Sequence, residues 1–327
     1  VIGHEWAVDL LAGALANGRL SHAYLLTGPA HVGKTRLART FAQALNCQTG
    51  DPAPCLVCRP CQLIAKDGHP DVRLIEPELS SSGRKETLKI EQVRNLQKEL
   101  ALAPYEGRYR VVILTRFQKA SLGAANALLK TLEEPPERVV LILTADLSDA
   151  LLPTIVSRCQ SLVLRPLPLE QVEAALMLQW NATESQARQL AHLSGGRLGL
   201  AVRLLSDPRL LNQRKEWLDD LETLLQEDRT ARFKYADKMT RQKKGMMVRE
   251  TLELWLGWWR DVMLTAGTSV GGDGRENGPP PITNINRGEQ IRTAAAPYGP
   301  ETASAAARAH QQTLWRPGRH AQTPPAV

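Results

Sequence analysis

No stretch of the 327-residue chain approaches the roughly 20 uninterrupted apolar residues that a helix needs to cross a bilayer. Its first residues, Val1-Ile2-Gly3-His4-Glu5-Trp6, hold no basic cluster followed by an apolar run, so no secretory signal is read there. No internal repeat occurs. Cysteines are few and lopsided: five in all, with Cys47, Cys55, Cys58 and Cys61 close together and Cys159 alone. An oxidised secreted scaffold would spread its cysteines, so a metal-binding knot in a reducing compartment is the expectation. A soluble, cytoplasmic protein follows as an expectation. The chain starts at Val1 without a methionine, and a few leading residues are expected to be missing.

What is present is ordinary globular composition, 43% hydrophobic and 23% charged, which excludes collagen-like, mucin-like and wholly disordered chains. The length suits two or three domains. Lys and Arg number 41 against 34 Asp and Glu, a net charge of +7. That surplus favours polyanionic partners through its field, and is modest for a chain of this size.

Apolar runs at 21–26, 72–75, 110–114, 139–144 and 160–164 read as short buried strands. Helical spacing appears between them, at 34–45, 88–102 and 124–132, the last stopped by Pro135-Pro136. Alternation of apolar strands with helices predicts a parallel sheet covered on both faces. After residue 166 the pattern becomes purely helical, with segments at 170–177, 184–193 and 198–205 and a longer region from 208 to about 264. Gly271-Gly272-Asp273-Gly274 and Pro279-Pro280-Pro281 are linker-like.

Gly28-Pro29-Ala30-His31-Val32-Gly33-Lys34-Thr35 fits the phosphate-loop pattern G-x-x-x-x-G-K-[ST], with an apolar strand before it and an amphipathic helix after it. The glycines let the backbone point its N–H groups at phosphate oxygens, and the helix N-terminus adds positive potential. Lys34 would reach the β- and γ-phosphates and Thr35 would ligate Mg²⁺. ATP with Mg²⁺ is therefore the candidate ligand. Hydrolysis also needs carboxylates after a second apolar strand, to hold the metal and orient water. After strand 110–114 the chain reads Thr115-Arg116-Phe117-Gln118-Lys119, with no acid. Glu133-Glu134 is the candidate to supply a carboxylate from elsewhere, and a solvated helix end before Pro135 is the role expected of it instead.

Cys47 and the run Cys55-Leu56-Val57-Cys58-Arg59-Pro60-Cys61 supply four thiols, three of them at C-x₂-C spacing. Structural Zn²⁺ wants four soft ligands in a tetrahedron, and such turns deliver them. Redox C-x-x-C chemistry is the competitor, but that motif does not come as a triple. Pro52, Pro54 and Pro60 suit a short loop that the metal, not a core, holds folded. His69, just beyond, is expected at the surface.

These residues resemble a bacterial clamp-loader subunit of the AAA+ class. The phosphate loop, the cysteine module after its helix, the block 125–136 (Ala-Asn-Ala-Leu-Leu-Lys-Thr-Leu-Glu-Glu-Pro-Pro) and the block 151–160 with Ser157-Arg158-Cys159 carry the likeness. Segments 88–94 and 104–110 resemble the delta-prime kind of DNA polymerase III more than the gamma/tau motor. The likeness is close over residues 1–199 and loose beyond.

The resemblance implies an AAA+ domain at 1–166 with a zinc module at about 47–61, a helical lid at 167–207 and a helical collar at 208–266. It implies that residues 1–4 lie near the adenine. Thr144 falls at the sensor-1 position, Arg197 at sensor 2, and Arg158 matches an arginine finger acting on a neighbouring subunit's nucleotide. A guanidinium suits that task because it stays charged and forks onto phosphate oxygens. Delta-prime subunits are regarded as the stationary member of the loader, hydrolysing little themselves, and Arg116 in place of a carboxylate agrees. Implied partners are gamma/tau and delta subunits, with the sliding clamp and primed DNA met through the complex. The alternatives are an active gamma/tau-type motor and a zinc-containing DNA-binding repair adaptor.

In the helical remainder Trp217, Leu218, Leu221, Leu224 and Leu225 form one apolar face, and Leu252, Leu254, Trp255, Leu256, Trp258 and Trp259 a wide one, either buried or shared with another chain. Between them Arg229, Arg232, Lys234, Lys238, Arg241, Lys243, Lys244 and Arg249 form a basic run, expected to be a solvated face rather than a DNA contact. Residues 267–327 carry too few large apolar groups to pack, and poor order is expected there.

Overall fold

A computed structural model of the chain describes residues 1–50, 54–79, 86–242, 245–270 and 282–315. Pro52, Lys243, Lys244, the linker-like 271–281 and the end of the chain after 315 lie outside the described residues. The chain divides into two compact units, Val1–Leu167 with Arg197–Gly199, and Pro168–Gly196 with Leu200–Val327.

In the first unit, α1 (Glu5–Ala16) precedes β1 (Ala23–Thr27), α2 (Lys34–Asn46), α3 (Arg59–Ala65) and β2 (Val72–Ile75). A small antiparallel pair follows, β3 (Glu78–Leu79) with β4 (Glu86–Thr87), then α4 (Ile90–Leu100) and β5 (Arg110–Leu114). The unit closes with α5 (Leu122–Glu133), β6 (Val139–Ala145), α6 (Pro153–Val156) and β7 (Gln160–Val163). The main sheet is parallel in the order β2-β5-β6-β1-β7. The five expected strands are these five, with ends moved by no more than two residues.

Strand alternation splits the core into two layers. Leu25, Val112, Leu114, Leu141 and Leu143 point to one face, against Val93, Leu96 and Leu100 of α4 and Ala124, Leu128 and Leu132 of α5. Their chain neighbours Tyr24, Leu26, Ile113, Val140 and Ile142 point to the other, against Ala7 and Leu11 of α1 and Leu37, Phe41 and Leu45 of α2. Period-two side chains on strands buried on both sides leave no polar face, which is why these segments are continuous apolar runs. Tyr24 meets Phe41 edge to face, centroids 5.2 Å apart.

The cysteine module departs from a bare loop. Its second half is α3, and Ile64 joins the core layer beneath α2, so packing as well as the four thiols holds the segment. Gln43 of α2 donates to the Cys61 carbonyl at 2.8 Å. His69 is buried rather than exposed, its Nδ1 accepting from the Asp71 N–H at 3.1 Å.

The second unit is helical: α7 (Leu169–Trp180), α8 (Glu184–Ser194), α9 (Leu198–Ser206, its first two residues counted with the first unit), α10 (Pro208–Gln226), α11 (Arg229–Gln242), α12 (Gly245–Val270) and α13 (Gly288–Trp315). Thr183 and Gln186 cap α8 reciprocally. Among the described residues no helix is long and apolar enough to cross a membrane. Trp217, Leu218 and Leu221 of α10 and Leu254, Trp258 and Trp259 of α12 share one core with α13, so the wide apolar face is largely buried within its own unit.

The expectation of poor order after residue 267 is corrected for 282–315. That stretch is short of large apolar groups because α12 supplies them: Ile291, Ala295 and Ala303 of α13 are buried against its tryptophans. The helix breaks at Gly299, whose φ of +57° absorbs the kink before Pro300. Two polar anchors fix its start. Buried Asp261 accepts from the N–H groups of Thr283 and Asn284 at 2.9 and 2.8 Å, and Arg287 reaches Glu222 and Asp219 on α10.

The basic run is partly consumed locally. Arg232 donates to the Leu224 and Leu225 carbonyls near the end of α10, while Arg241 pairs with Asp237 and Arg249 with Glu253 at i,i+4 spacing. Arg229 lies over the Phe233 ring.

Candidate functional site

The phosphate loop leaves β1 at Gly28, whose φ is +138° and where an added Cβ would fall 2.1 Å from the Leu164 carbonyl oxygen. No residue but glycine fits there. His31 (φ +65°) and Gly33 (φ +115°) complete the curl, and Gly33 stands at the N-cap of α2 without any side-chain cap. The first N–H groups of α2 and the helix field therefore face the loop's concavity. Thr35 is half-buried in the first turn.

Lys34 is only 8% exposed. Its ammonium donates to the carbonyls of Gly28 and Pro29, the latter at 2.9 Å, and to Asp146 Oδ1 at 3.2 Å. Burial lowers its pKa below the ordinary lysine value, and the Asp146 carboxylate opposes that shift. Asp146 follows β6 directly and was not singled out by any sequence motif. Its Oδ2 accepts from Gln118 Nε2 at 2.8 Å and its carbonyl from the Gly28 N–H at 3.2 Å. The pairing of β6 with β1, Ala145 opposite Thr27, is what brings it there.

Thr144, buried, accepts from the Arg116 N–H at 3.0 Å through Oγ1, tying the end of β6 to the turn after β5. At that turn Arg116 takes φ +48°. Its guanidinium and the Lys119 ammonium both reach Glu86 on β4, Arg116 at 2.7 Å. Both cations therefore lower the Glu86 pKa against the effect of its burial. Glu133 and Glu134 are exposed at the end of α5, as expected, but Glu133 pairs with Arg158 Nη2 at 3.0 Å. Arg158 also donates to the Thr154 carbonyl at 2.9 Å and keeps its side chain 36% exposed.

His4 is buried, Nε2 3.1 Å from the Val32 carbonyl, so the N-terminal residues do abut the phosphate loop. Arg197, half-buried, belongs to the short stretch counted with the first unit, where the Gly199 N–H donates to the His31 carbonyl at 3.1 Å. The structure thus brings the loop, Lys34, Thr144 and the 197–199 stretch to one region.

The sulfurs of Cys47, Cys55, Cys58 and Cys61 all lie within 4.8 Å of one another and could hold a metal ion. None forms a disulfide. Cys47 ends α2, Cys61 sits in α3, and the exposed Leu56-Val57 turn carries Cys55 and Cys58. Backbone N–H groups of Cys55 and Cys58 donate to Cys47 Sγ and Cys55 Sγ at 3.4 and 3.3 Å. Hydrogen bonds from the Thr49 hydroxyl and then from the Cys58 and Val57 N–H groups bring Cys55 down to about 6. Burial and the neighbouring thiols push Cys61 up to about 12. A cation at the centre would convert all four to thiolates.

Next to the module, fully buried Asp71 accepts from the N–H groups of Tyr105, Glu106 and Gly107 at 2.7, 2.8 and 2.8 Å, and from Arg110 at 3.1 Å. Arg59 of the module reaches Glu106 at 2.6 Å, and Asn46 takes the Tyr109 N–H at 3.0 Å. The 104–110 segment is thereby fastened to both ends of the cysteine module.

A family model described as "DNA polymerase III, delta subunit" matches residues 3–168, half of the chain. The chain belongs to that family. The delta' subunit of DNA polymerase III from Bacillus subtilis is 32% identical over 263 residues, covering 78% of this chain and 76% of that one. The tau subunit of Escherichia coli K12 is 40% identical over 210 residues, 62% of this chain but 32% of its own length. A Mycobacterium tuberculosis gamma/tau subunit is 37% identical over 177 residues, 54% and 30%. The chain therefore spans about a third or less of the tau and gamma/tau relatives it matches. The parallel sheet, the phosphate loop and the helical second unit make it an AAA+ chain of the clamp-loader class, the fold the sequence led one to expect.

Proposed function

We propose that this chain is the delta-prime-type subunit of a DNA polymerase III clamp loader, cytoplasmic, assembling with gamma/tau and delta subunits. In that complex it helps place the sliding clamp on primed DNA. One observation supports the reading: a complete phosphate loop is linked through Asp146 to Gln118 in the turn after β5, and that turn bears Arg116 and Lys119, both gripped by Glu86, at the strand end where a hydrolytic site keeps carboxylates. The chain binds ATP and turns it over slowly if at all. Lys34, Thr35 and the loop N–H groups would hold the triphosphate with Mg²⁺, Thr144 and Arg197 standing as sensors beside it.

Arg158 acts on a neighbour's nucleotide. Its partial exposure and its exposed partners, Glu133 and the Thr154 carbonyl, leave the guanidinium able to exchange partners at low cost. The cysteine cluster takes one structural Zn²⁺, since a tetrahedral ion with bonds of about 2.3 Å needs sulfurs roughly 3.8 Å apart, close to the observed grouping. Residues 167–207 serve as the lid and 208–266 as the start of the collar, which α13 extends.

The test is reconstitution with gamma/tau and delta subunits, clamp and primed DNA. The isolated chain is expected to show negligible turnover. Arg158→Ala is expected to leave its folding and nucleotide binding intact while lowering turnover of the complex, by about 10³-fold or more at the neighbouring site it serves. Brisk ATPase by the isolated chain, abolished by Lys34→Ala, would identify a motor instead. Unchanged turnover in the Arg158→Ala complex would remove the finger.

A further inference from the structure

Lys34 carries three ammonium protons, and three acceptors surround it: the Gly28 carbonyl, the Pro29 carbonyl and Asp146 Oδ1. A phosphate oxygen can gain this lysine only by displacing one of them. The two carbonyls belong to the loop backbone and are uncharged. Asp146 is the charged one, and it reaches Lys34 through a side chain able to rotate away. It is also held in place on two other sides, by Gln118 Nε2 on Oδ2 and by the Gly28 N–H on its carbonyl. The cations after β5 offer it no relief, because Arg116 and Lys119 are spent on Glu86.

We propose that Asp146 is an internal competitor for Lys34, occupying the lysine that the nucleotide's terminal phosphates require and so setting a low affinity for ATP. The proposal rests on the phosphate loop being a nucleotide site. Two effects act in the same direction. Asp146 must release Lys34 before a phosphate can take it, and its partly exposed carboxylate repels the incoming phosphates. The residue therefore fixes how readily the loop fills, without being part of the loop motif.

The experiment titrates ATP into the full chain by calorimetry, with and without Mg²⁺, for wild type, Asp146→Asn and Lys34→Ala. Asparagine keeps the side-chain size, the carbonyl that caps Gly28 and an acceptor for Gln118. ATP is expected to bind Asp146→Asn about fivefold more tightly at low salt, the worth of a partly exposed ion pair. The gain should shrink at high salt through screening. Asp146→Ser, which removes the charge with a smaller group, should move affinity the same way and guards against an effect of the amide. Lys34→Ala should abolish binding. Unchanged or weaker binding in both Asp146 variants overturns the proposal while leaving the nucleotide reading intact. A wild-type chain and Asp146 variants that all fail to bind would overturn both.

Discussion

Replacing Asp71 by asparagine tests the electrostatics of the loop beside the cysteine module. The carboxylate is wholly buried and serves three consecutive N–H groups and the Arg110 guanidinium. Burial alone would raise its pKa, but the Tyr105, Glu106 and Gly107 N–H groups and Arg110 hold it at about 2, against 3.8 in an unfolded chain. Because the folded value is the lower one, unfolding favours protonation. The stabilisation is complete above about pH 4 and fades as pH falls from there toward 2, amounting to about 2 kcal/mol when fully present. About half of it should be gone by roughly pH 3. An asparagine in its place would offer one oxygen to several donors and point an amide NH₂ at others. Stranding buried donors and Arg110 raises the expected loss at neutral pH to about 3–5 kcal/mol. Urea unfolding of wild type and Asp71→Asn, compared at neutral pH and stepwise into acid, reads both quantities. Equal stability at neutral pH, or a difference that stays constant through the acid range, would refute this account of Asp71.

Trp258 is 1% exposed and meets Trp259 edge to face at 5.0 Å, so Trp258→Ala should cost about 3–5 kcal/mol in urea unfolding, and a loss below about 1 would show that the core collapses around it. Gly28→Ala should abolish ATP binding in calorimetry while the circular dichroism spectrum is kept, since its Cβ would strike the Leu164 carbonyl; retained affinity would contradict the tight turn described. Metal analysis of freshly reduced protein should find one zinc per chain, with Cys47, Cys55, Cys58 and Cys61 reacting with thiol reagents only after chelation. Four freely reactive thiols without a chelator would discard the metal centre.

The strands were readable because each is buried on both faces and appears as an unbroken apolar run. The first helix was not. Of α1 only Ala7 and Leu11 are buried, while Trp6 and Leu10 remain substantially exposed, which smears the periodicity. The phosphate loop and the cysteine quartet were legible because backbone curvature and metal geometry fix residue type and spacing locally. Asp146, Glu86 and Asp71 were not, since each is a solitary acid whose partner lies far along the chain: 112 residues for Asp146 and Lys34, 30 for Glu86 and Arg116, 34 for Asp71 and Tyr105. Their roles come from strand order, which no local pattern reports. His69 and residues 282–315 were misread for a related reason. Judged by their own neighbours they look like surface, and elements distant in sequence enclose them.

The alanines of α13 have a thermodynamic corollary. An alanine has no rotamers to freeze, so seating this helix on α12 forfeits mainly backbone freedom, whereas leucines or methionines in its place would each surrender side-chain entropy as well. The tryptophans opposite do the dehydrating, and the small residues let them approach. Mutational tolerance along α13 should therefore be uneven: at Ala303, which is wholly buried, a larger side chain must push its neighbours aside at a cost of about 1–3 kcal/mol, while exposed positions a turn away tolerate most residues that keep the helix.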